Sequence, residues 1–157
     1  MPEATGEIIE GSFTIEQEVP INASREKVFD ALCDVSGWWR HRFEDGRGEM
    51  IFEPVVGGRF MQTWGDDEGA LFGHVVYIKR PEIIRMSGQL ASNLPASTIY
   101  QYELEEKDGG TLLKLTHRVA GMINTDYRDN YNSGWGALWE SLRAFVEEGK
   151  RWGEGEQ

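Results

Sequence analysis

From Ser12 to Val19 the chain alternates strictly. Phe13, Ile15, Gln17 and Val19 fall on one side, and Ser12, Thr14, Glu16 and Glu18 on the other. That period of two predicts a strand with one buried face, with Pro20 near its end. Asn22 to Lys27 then opens a helix with Ser24 at the N-cap position, and Val28, Phe29, Ala31 and Leu32 form its apolar face. Ser36-Gly37 breaks that helix, so Trp38-Trp39 belongs to a second short turn. Between Met50 and Val119 the pattern is strand and turn. Gly57-Gly58 precedes Arg59 to Trp64, Gly65 to Gly69 turns into Leu71 to Lys79, and Arg80-Pro81 stops that strand before Glu82 to Gly88. Thr98, Tyr100, Tyr102 and Leu104 alternate with Ile99, Gln101 and Glu103. Asp108-Gly109-Gly110 predicts a tight hairpin into Thr111 to Val119, where Leu113, Leu115, His117 and Val119 share a face. Strands joined by turns, with no helix between them, predict an antiparallel meander.

Tyr127, Tyr131, Trp135, Leu138, Leu142 and Phe145 recur at spacings of four and three, which predicts a long helix with one apolar stripe. Asn124, Thr125 or Asp126 is expected to cap it, and Lys150-Arg151 suits its C-terminal end. Gly134 and Gly136 each weaken helix propensity by about 1 kcal/mol, so a close approach to the sheet is expected there. The order is strand, two short helices, a run of strands and one long helix. A sheet with one apolar face must cover it, and only the last helix is long enough. The expectation is an α+β fold: a curved antiparallel sheet around a long C-terminal helix, with space between them. A tail over residues 1–11, a single domain over 12–150 and a second tail over 151–157 complete the expected layout.

The length of 157 residues fits one domain of roughly 150 residues, enough to bury about two-thirds of the unfolded surface. A net charge of -11 argues against a nucleic-acid partner, because phosphate binding needs a basic surface. No apolar run reaches the ~20 residues of a membrane span, and Met1 to Gly11 lacks the features of a signal peptide. One cysteine, Cys33, excludes an intrachain disulfide and fits a reducing, cytoplasmic setting. It ends an apolar helix face and reads as a buried, inert thiol. Six Trp, five Tyr and seven Phe are more aromatic surface than a plain core uses, which points to a cavity or a partner surface.

Several stretches are similar to those of a known group. They are Ile21 to Leu32, Trp38-Trp39, Pro54 to Phe60, Gly73-His74-Val75 with Pro81, Gly110 to His117, and Gly134-Trp135 with Leu138 and Leu142. In this order the chain resembles the START-like (SRPBCC) superfamily from about Phe13 to about Glu148. Within it, the chain resembles the family named for the activator of heat-shock-protein-90 ATPase. Ser24 departs from the proline often found there, and either residue starts a helix. The resemblance implies the START or Bet v-like helix-grip fold with a hydrophobic cavity. The superfamily includes lipid carriers, plant hormone and pollen-allergen binders, aromatic polyketide cyclases and co-chaperone domains. Fold does not choose among these roles.

The candidate chemistry is sparse. His41, His74 and His117 are far apart, and Asp66-Asp67-Glu68 lacks the spacing of a calcium loop, so no metal or other cofactor is expected. No glycine-rich phosphate loop and no serine nucleophile elbow is present. His117 reads either as a neutral histidine bonded to a neighbour, or as a polar group fixing a ligand or moving a proton. It is the one catalytic candidate. Tyr100 and Tyr102 alternate inward beside it, either to give the pocket polar groups or to reach solvent at the sheet edge. The resemblance places Trp38, Trp39 and Phe43 at a cavity mouth. Tyr127, Tyr131 and Trp135 come from the long helix, and Phe60, Trp64, Phe72 and Met86 from the sheet, the parity of the strand carrying Phe72 and His74 being open. Arg40, Arg42 and Arg47 read as a solvated face balanced by Glu44, Asp45 and Glu49, or as a gate for an anionic head group.

The leading expectation is a binding module for a small hydrophobic, aromatic ligand held between sheet and helix by these thirteen residues. A cyclase- or dehydratase-like enzyme using His117 with Tyr100 or Tyr102 is the alternative, and a chaperone-interacting domain the third. The chain is expected to be a monomer or a homodimer.

Overall fold

The computed structural model describes residues 5–90 and 92–153. Seven antiparallel strands form one sheet: β1 (Ile8–Ile21), β2 (Glu49–Phe52), β3 (Arg59–Gly65), β4 (Glu68–Lys79), β5 (Ile83–Ser87), β6 (Ala96–Lys107) and β7 (Gly110–Asn124). Their order is β1-β7-β6-β5-β4-β3-β2, so the meander from β2 to β7 closes on the first strand. Helix α1 (Arg25–Cys33) and two 3-10 turns (Val35–Gly37 and Glu44–Gly46) follow β1, and α2 (Tyr127–Glu148) ends the fold. This is the expected helix-grip architecture.

Cross-strand register turns the alternation into rows. One inward row runs Ile15, His117, Tyr100, Met86 and Val75 across β1, β7, β6, β5 and β4, and all five are buried. The next runs Leu115, Tyr102 and Ile84. The Asp108-Gly109 hairpin, with both residues at positive φ, sets the β6–β7 register. A register shift between β3 and β4 answers the open parity. Phe60 pairs with Gly73 and Met61 with Leu71, so Phe72 is the extra residue of a bulge. Phe72 therefore faces the core while His74 is exposed.

Helix α1 starts as expected, with the Ser24 hydroxyl accepting from the Lys27 amide at 3.2 Å. At α2 the expectation is met only in part. Asn124 Oδ1 accepts from the Asp126 amide at 3.0 Å, while the Asp126 carboxylate accepts from Thr5 rather than capping the helix. Gly149 in the left-handed conformation closes the C-terminal end. Gly134 is buried, but Gly136 is exposed and a Cβ there would meet nothing within 4 Å. Gly136 thus makes no close approach, and at Gly134 the carbonyl accepts from His41 Nε2 at 3.0 Å.

Both ends of the domain reach further than the expected boundaries. β1 begins at Ile8, paired with Asn124, because Ile8 to Gly11 extends the same ladder despite its exposed side chains. At the other end, Arg151 pairs with Asp34 at 2.9 Å and the Trp152 amide donates to Gly37 O. Residues 1–4 and 154–157 of the expected tails lie outside the described residues.

The core is a continuous set of rings. Trp38 stacks on Trp139, which stacks on Trp135. Trp39 meets Phe60 edge-on at 4.8 Å, and Phe60 meets Phe72 at 5.1 Å. Trp38 sits at the centre with no exposed surface, so Trp38→Ala should cost about 3–5 kcal/mol in urea unfolding. Arg80→Ala removes only a solvent-exposed pair with Asp30 and should leave the midpoint almost unmoved. Comparable losses in the two variants would contradict a ring-packed centre.

Candidate functional site

His117 is brought in by the alternation of β7 and is 1% exposed. Its Nδ1 accepts from Trp135 Nε1 on α2 at 3.0 Å. An indole N–H only donates, so Nδ1 keeps its lone pair and the proton of the neutral ring sits on Nε2. Among the described residues Nε2 is buried without a partner. Burial pushes the ring's pKa down from 6.5 to about 4. Tyr131, Tyr100 and Phe13 meet the imidazole edge-on, with Tyr131 nearest at 5.2 Å between centroids.

The two tyrosines of β6 are inside, not at the sheet edge. Tyr100 lies 5.9 Å from His117 between ring centroids, but its hydroxyl donates to Phe72 O at 3.1 Å. It reaches that carbonyl over Gly73, where a Cβ would come within 2.5 Å of the hydroxyl. Burial raises both phenols well above their ordinary range. His117 and Tyr100 are therefore neighbours without a proton relay between them.

At the α2 end of the sheet a hollow opens beside His117. Thr98, Val119, Met122, Tyr127 and Tyr131 form its walls, with Gln89 and Ser92 across its rim. The space open to a water-sized sphere is about 10 Å³, room for one water or one ligand oxygen. Ser92 Oγ donates to the Tyr127 hydroxyl at 3.2 Å. Leu71, His74, Ser87, Leu94 and Pro95 line an open groove of about 530 Å³ that shares Gln89 and Ser92 with the hollow.

Of the thirteen candidate residues, His117, Tyr127 and Tyr131 border the hollow. Trp38 and Trp39 are not at a mouth. They are buried, with indole nitrogens donating to Leu32 O and His41 O, because the turn after Val35–Gly37 drives both rings under α2. Phe43 is the exposed one of that group, at 40%, stacked on Phe72 and against Trp64. Phe60, Phe72, Met86, Tyr100, Tyr102 and Trp135 are core residues, fully or nearly buried.

Residues outside the candidate set matter as much. Trp139 bridges Trp38 and Trp135 and donates to Gln17 Oε1 at 2.8 Å. Its place four residues after Trp135 was the available signal. Gln62 shares the buried face of Phe60, and its amide accepts from Phe43 N and donates to Phe43 O and Arg47 O. His41 Nε2 donates to Gly134 O at 3.0 Å, which closes α2 onto the Trp38-Trp39 turn. Among the described residues Arg40 and Arg42 form no ion pair with Glu44, Asp45 or Glu49, and Arg40 instead lies 4.0 Å from Glu140. Arg42 donates to Trp39 O and Ser36 O, and Arg40 lies 4.3 Å over the Trp152 ring. The Cys33 thiol is half-buried and pushed up to about 12, mainly by burial. Among the described residues no group of three or more His, Cys, Asp or Glu side chains could hold a metal, and no helix is long and apolar enough to cross a membrane.

The family model described as "Activator of Hsp90 ATPase homolog 1-like protein" matches residues 22–147, most of the chain. The chain belongs to that family. No curated protein matches it in sequence. Among solved structures, a protein from Rhizobium leguminosarum aligns over 90% of this chain and 99% of its own, at 18% identity and a TM-score of 0.71. The Aha1 dimer of Colwellia psychrerythraea aligns over 88% and 98%, at 23% identity and 0.67. Ara h 8.0201 aligns over 88% and 99%, at 13% identity and 0.66. At these identities the likeness establishes the helix-grip fold. Family and fold are in keeping with a ligand-binding domain in the general sense.

The buried imidazole makes a pH prediction. Once unfolded, His117 takes up a proton near pH 6.5, whereas the folded ring stays neutral down to about 4. Its contribution is complete above pH 6.5 and is lost as pH falls through that window. Between pH 7 and pH 4 the wild type should lose about 3 kcal/mol more unfolding free energy than His117→Phe. Parallel urea profiles for the two proteins would contradict a neutral, buried His117.

Proposed function

We propose that this protein binds a small, mostly apolar, aromatic ligand between the sheet and the N-terminal half of α2. The observation that carries the reading is the hollow at Thr98, Val119, Met122, Tyr127 and Tyr131 in an otherwise ring-packed interior. Close-packed cores keep few voids, and this one lies where helix and sheet diverge and runs out beside half-exposed Met122. Its walls are two phenol rings, an imidazole and aliphatic groups, which suit a ring edge better than a flexible acyl chain. A bound ring enters by displacing Tyr127 outward, since Tyr127 is held by one hydrogen bond from Ser92 and an edge-on contact with Tyr131. Trp38, Trp39, Phe60, Phe72 and Trp135 then act as the stiff wall behind the site.

Binding is preferred to cyclase-like catalysis because Tyr100 spends its hydroxyl on Phe72 O instead of facing His117. The chaperone-partner reading rests on the family description alone. A cytoplasmic location is part of the proposal, supported by the unpaired Cys33. Self-association is open to the two sheet edges, β1 and β2, each paired on one side only. The Colwellia structure is a dimer.

The test is amide NMR with single-ring aromatic compounds. Shifts should concentrate at Thr98, Val119 and Met122, and Val119→Phe should weaken binding about tenfold or more by filling the hollow. Shifts confined to the neighbouring groove around Leu71, His74 and Pro95, or none at all, would overturn the proposal.

A further inference from the structure

The binding proposal leaves one buried group without a purpose. His117 Nε2–H is a donor, it has no acceptor among the described residues, and its ring borders the hollow. A buried donor without a partner is uncommon in a native core and calls for an explanation. The other ring nitrogen explains why the donor is fixed. Trp135 Nε1–H points at Nδ1, so the ring cannot turn its proton away from Nε2 without setting two N–H groups against each other. Trp135 is 2% exposed and stacked on Trp139, so the donor that enforces this tautomer is itself immobile. The imidazole is clamped edge-on by Phe13, Tyr131 and Tyr100, which prevents a ring flip.

The surroundings of this donor define what can pair with it. Gln89, Ser92, Thr98, Tyr127 and Tyr131 supply the neutral polar groups around the hollow, and none of the residues lining it is charged. Among its ring neighbours, too, the titratable groups are phenols, and the Tyr131 hydroxyl is pushed up to about 12. A carboxylate placed here would be buried without a cation. A pure hydrocarbon would leave Nε2–H unpaired. The space beside the ring is sized for a single oxygen. We infer that His117 is a specificity residue that reads a neutral carbonyl oxygen on the ligand: the bound molecule is an aromatic ketone, ester or amide whose oxygen accepts from His117 Nε2–H. This rests on the binding reading above, and adds to it the chemical class of the ligand. Trp135 is the positioning residue, acting through the tautomer it enforces.

The experiment compares three compounds of nearly equal shape on the wild-type protein: acetophenone, α-methylstyrene and benzoate. They differ in carrying a neutral oxygen, a methylene or a charge at the same place. Affinities come from calorimetry at pH 7, and the His117 Nε2–H resonance is followed by NMR. Acetophenone should bind about tenfold or more tighter than either of the others, and should move the Nε2–H resonance downfield while α-methylstyrene does not. Equal affinity for acetophenone and α-methylstyrene, with the resonance unmoved, would overturn the carbonyl assignment and leave the binding proposal intact. Tighter binding of benzoate would overturn the neutral acceptor. Failure of all three compounds to bind would overturn both. Trp135→Phe should erase the preference for acetophenone while keeping affinity for α-methylstyrene, and retention of the preference would remove Trp135 from the positioning role.

Discussion

The hydrogen bond from Trp135 Nε1 to His117 Nδ1 is the point on which sheet, helix and site all turn. It joins the middle of β7 to the N-terminal half of α2, inside the grip, between two groups that are almost fully buried. In that setting the indole needs an acceptor and the imidazole can supply only one lone pair. The pairing therefore does two things at once. It sets the height and rotation of α2 over the sheet, and it commits His117 to the neutral ring with the proton on Nε2. Burial acts in the same direction, because a charged imidazole here would lose the solvation of bulk water with no anion beside it among the described residues.

From that bond outward the interior is a sequence of ring contacts. Trp135 passes to Trp139 and Trp38, then through Trp39 to Phe60, Phe72 and Phe43, which is 40% exposed. Polar ties hold the loops against this column. Gln62 fixes Phe43 to Arg47, His41 fixes the Trp turn to Gly134, and Arg151 fixes the segment after α2 to Asp34 and Ser36. A column this filled cannot also be an open cavity. The opening is displaced to the end where α2 begins, between Tyr127, Tyr131 and the sheet. The wealth of aromatic residues thus serves mainly as a rigid wall, and only its margin, at Tyr127, Tyr131 and His117, borders free space.

The fold was legible because its signals are periodic. The inward residues of β1, β6 and β7 are those the alternation names, and the Asp108-Gly109 hairpin is set by residues that accept positive φ. The family resemblance covered nearly the same span as the matched residues 22–147. The site was less legible for three physical reasons. Phe72 and His74 sit across a bulge, and a bulge breaks the period that carries the information. Trp38-Trp39 follows a 3-10 turn whose direction depends on tertiary ties, namely His41 to Gly134 O and Arg151 to the Ser36 hydroxyl. Finally, a sequence shows which rings face inward but not whether they meet one another or a ligand. The strand start at Ile8 escaped because exposed Ile8 and Ile9 carry no alternation, although their backbone continues the ladder.

The most direct test of the central claim is the protonation state and tautomer of His117, read from a long-range proton–nitrogen NMR spectrum of the ring near pH 6. The account predicts a neutral ring with the proton on Nε2 and an unprotonated, hydrogen-bonded Nδ1, unchanged down to pH 5. A charged ring at pH 6, or a neutral ring protonated on Nδ1, would contradict it.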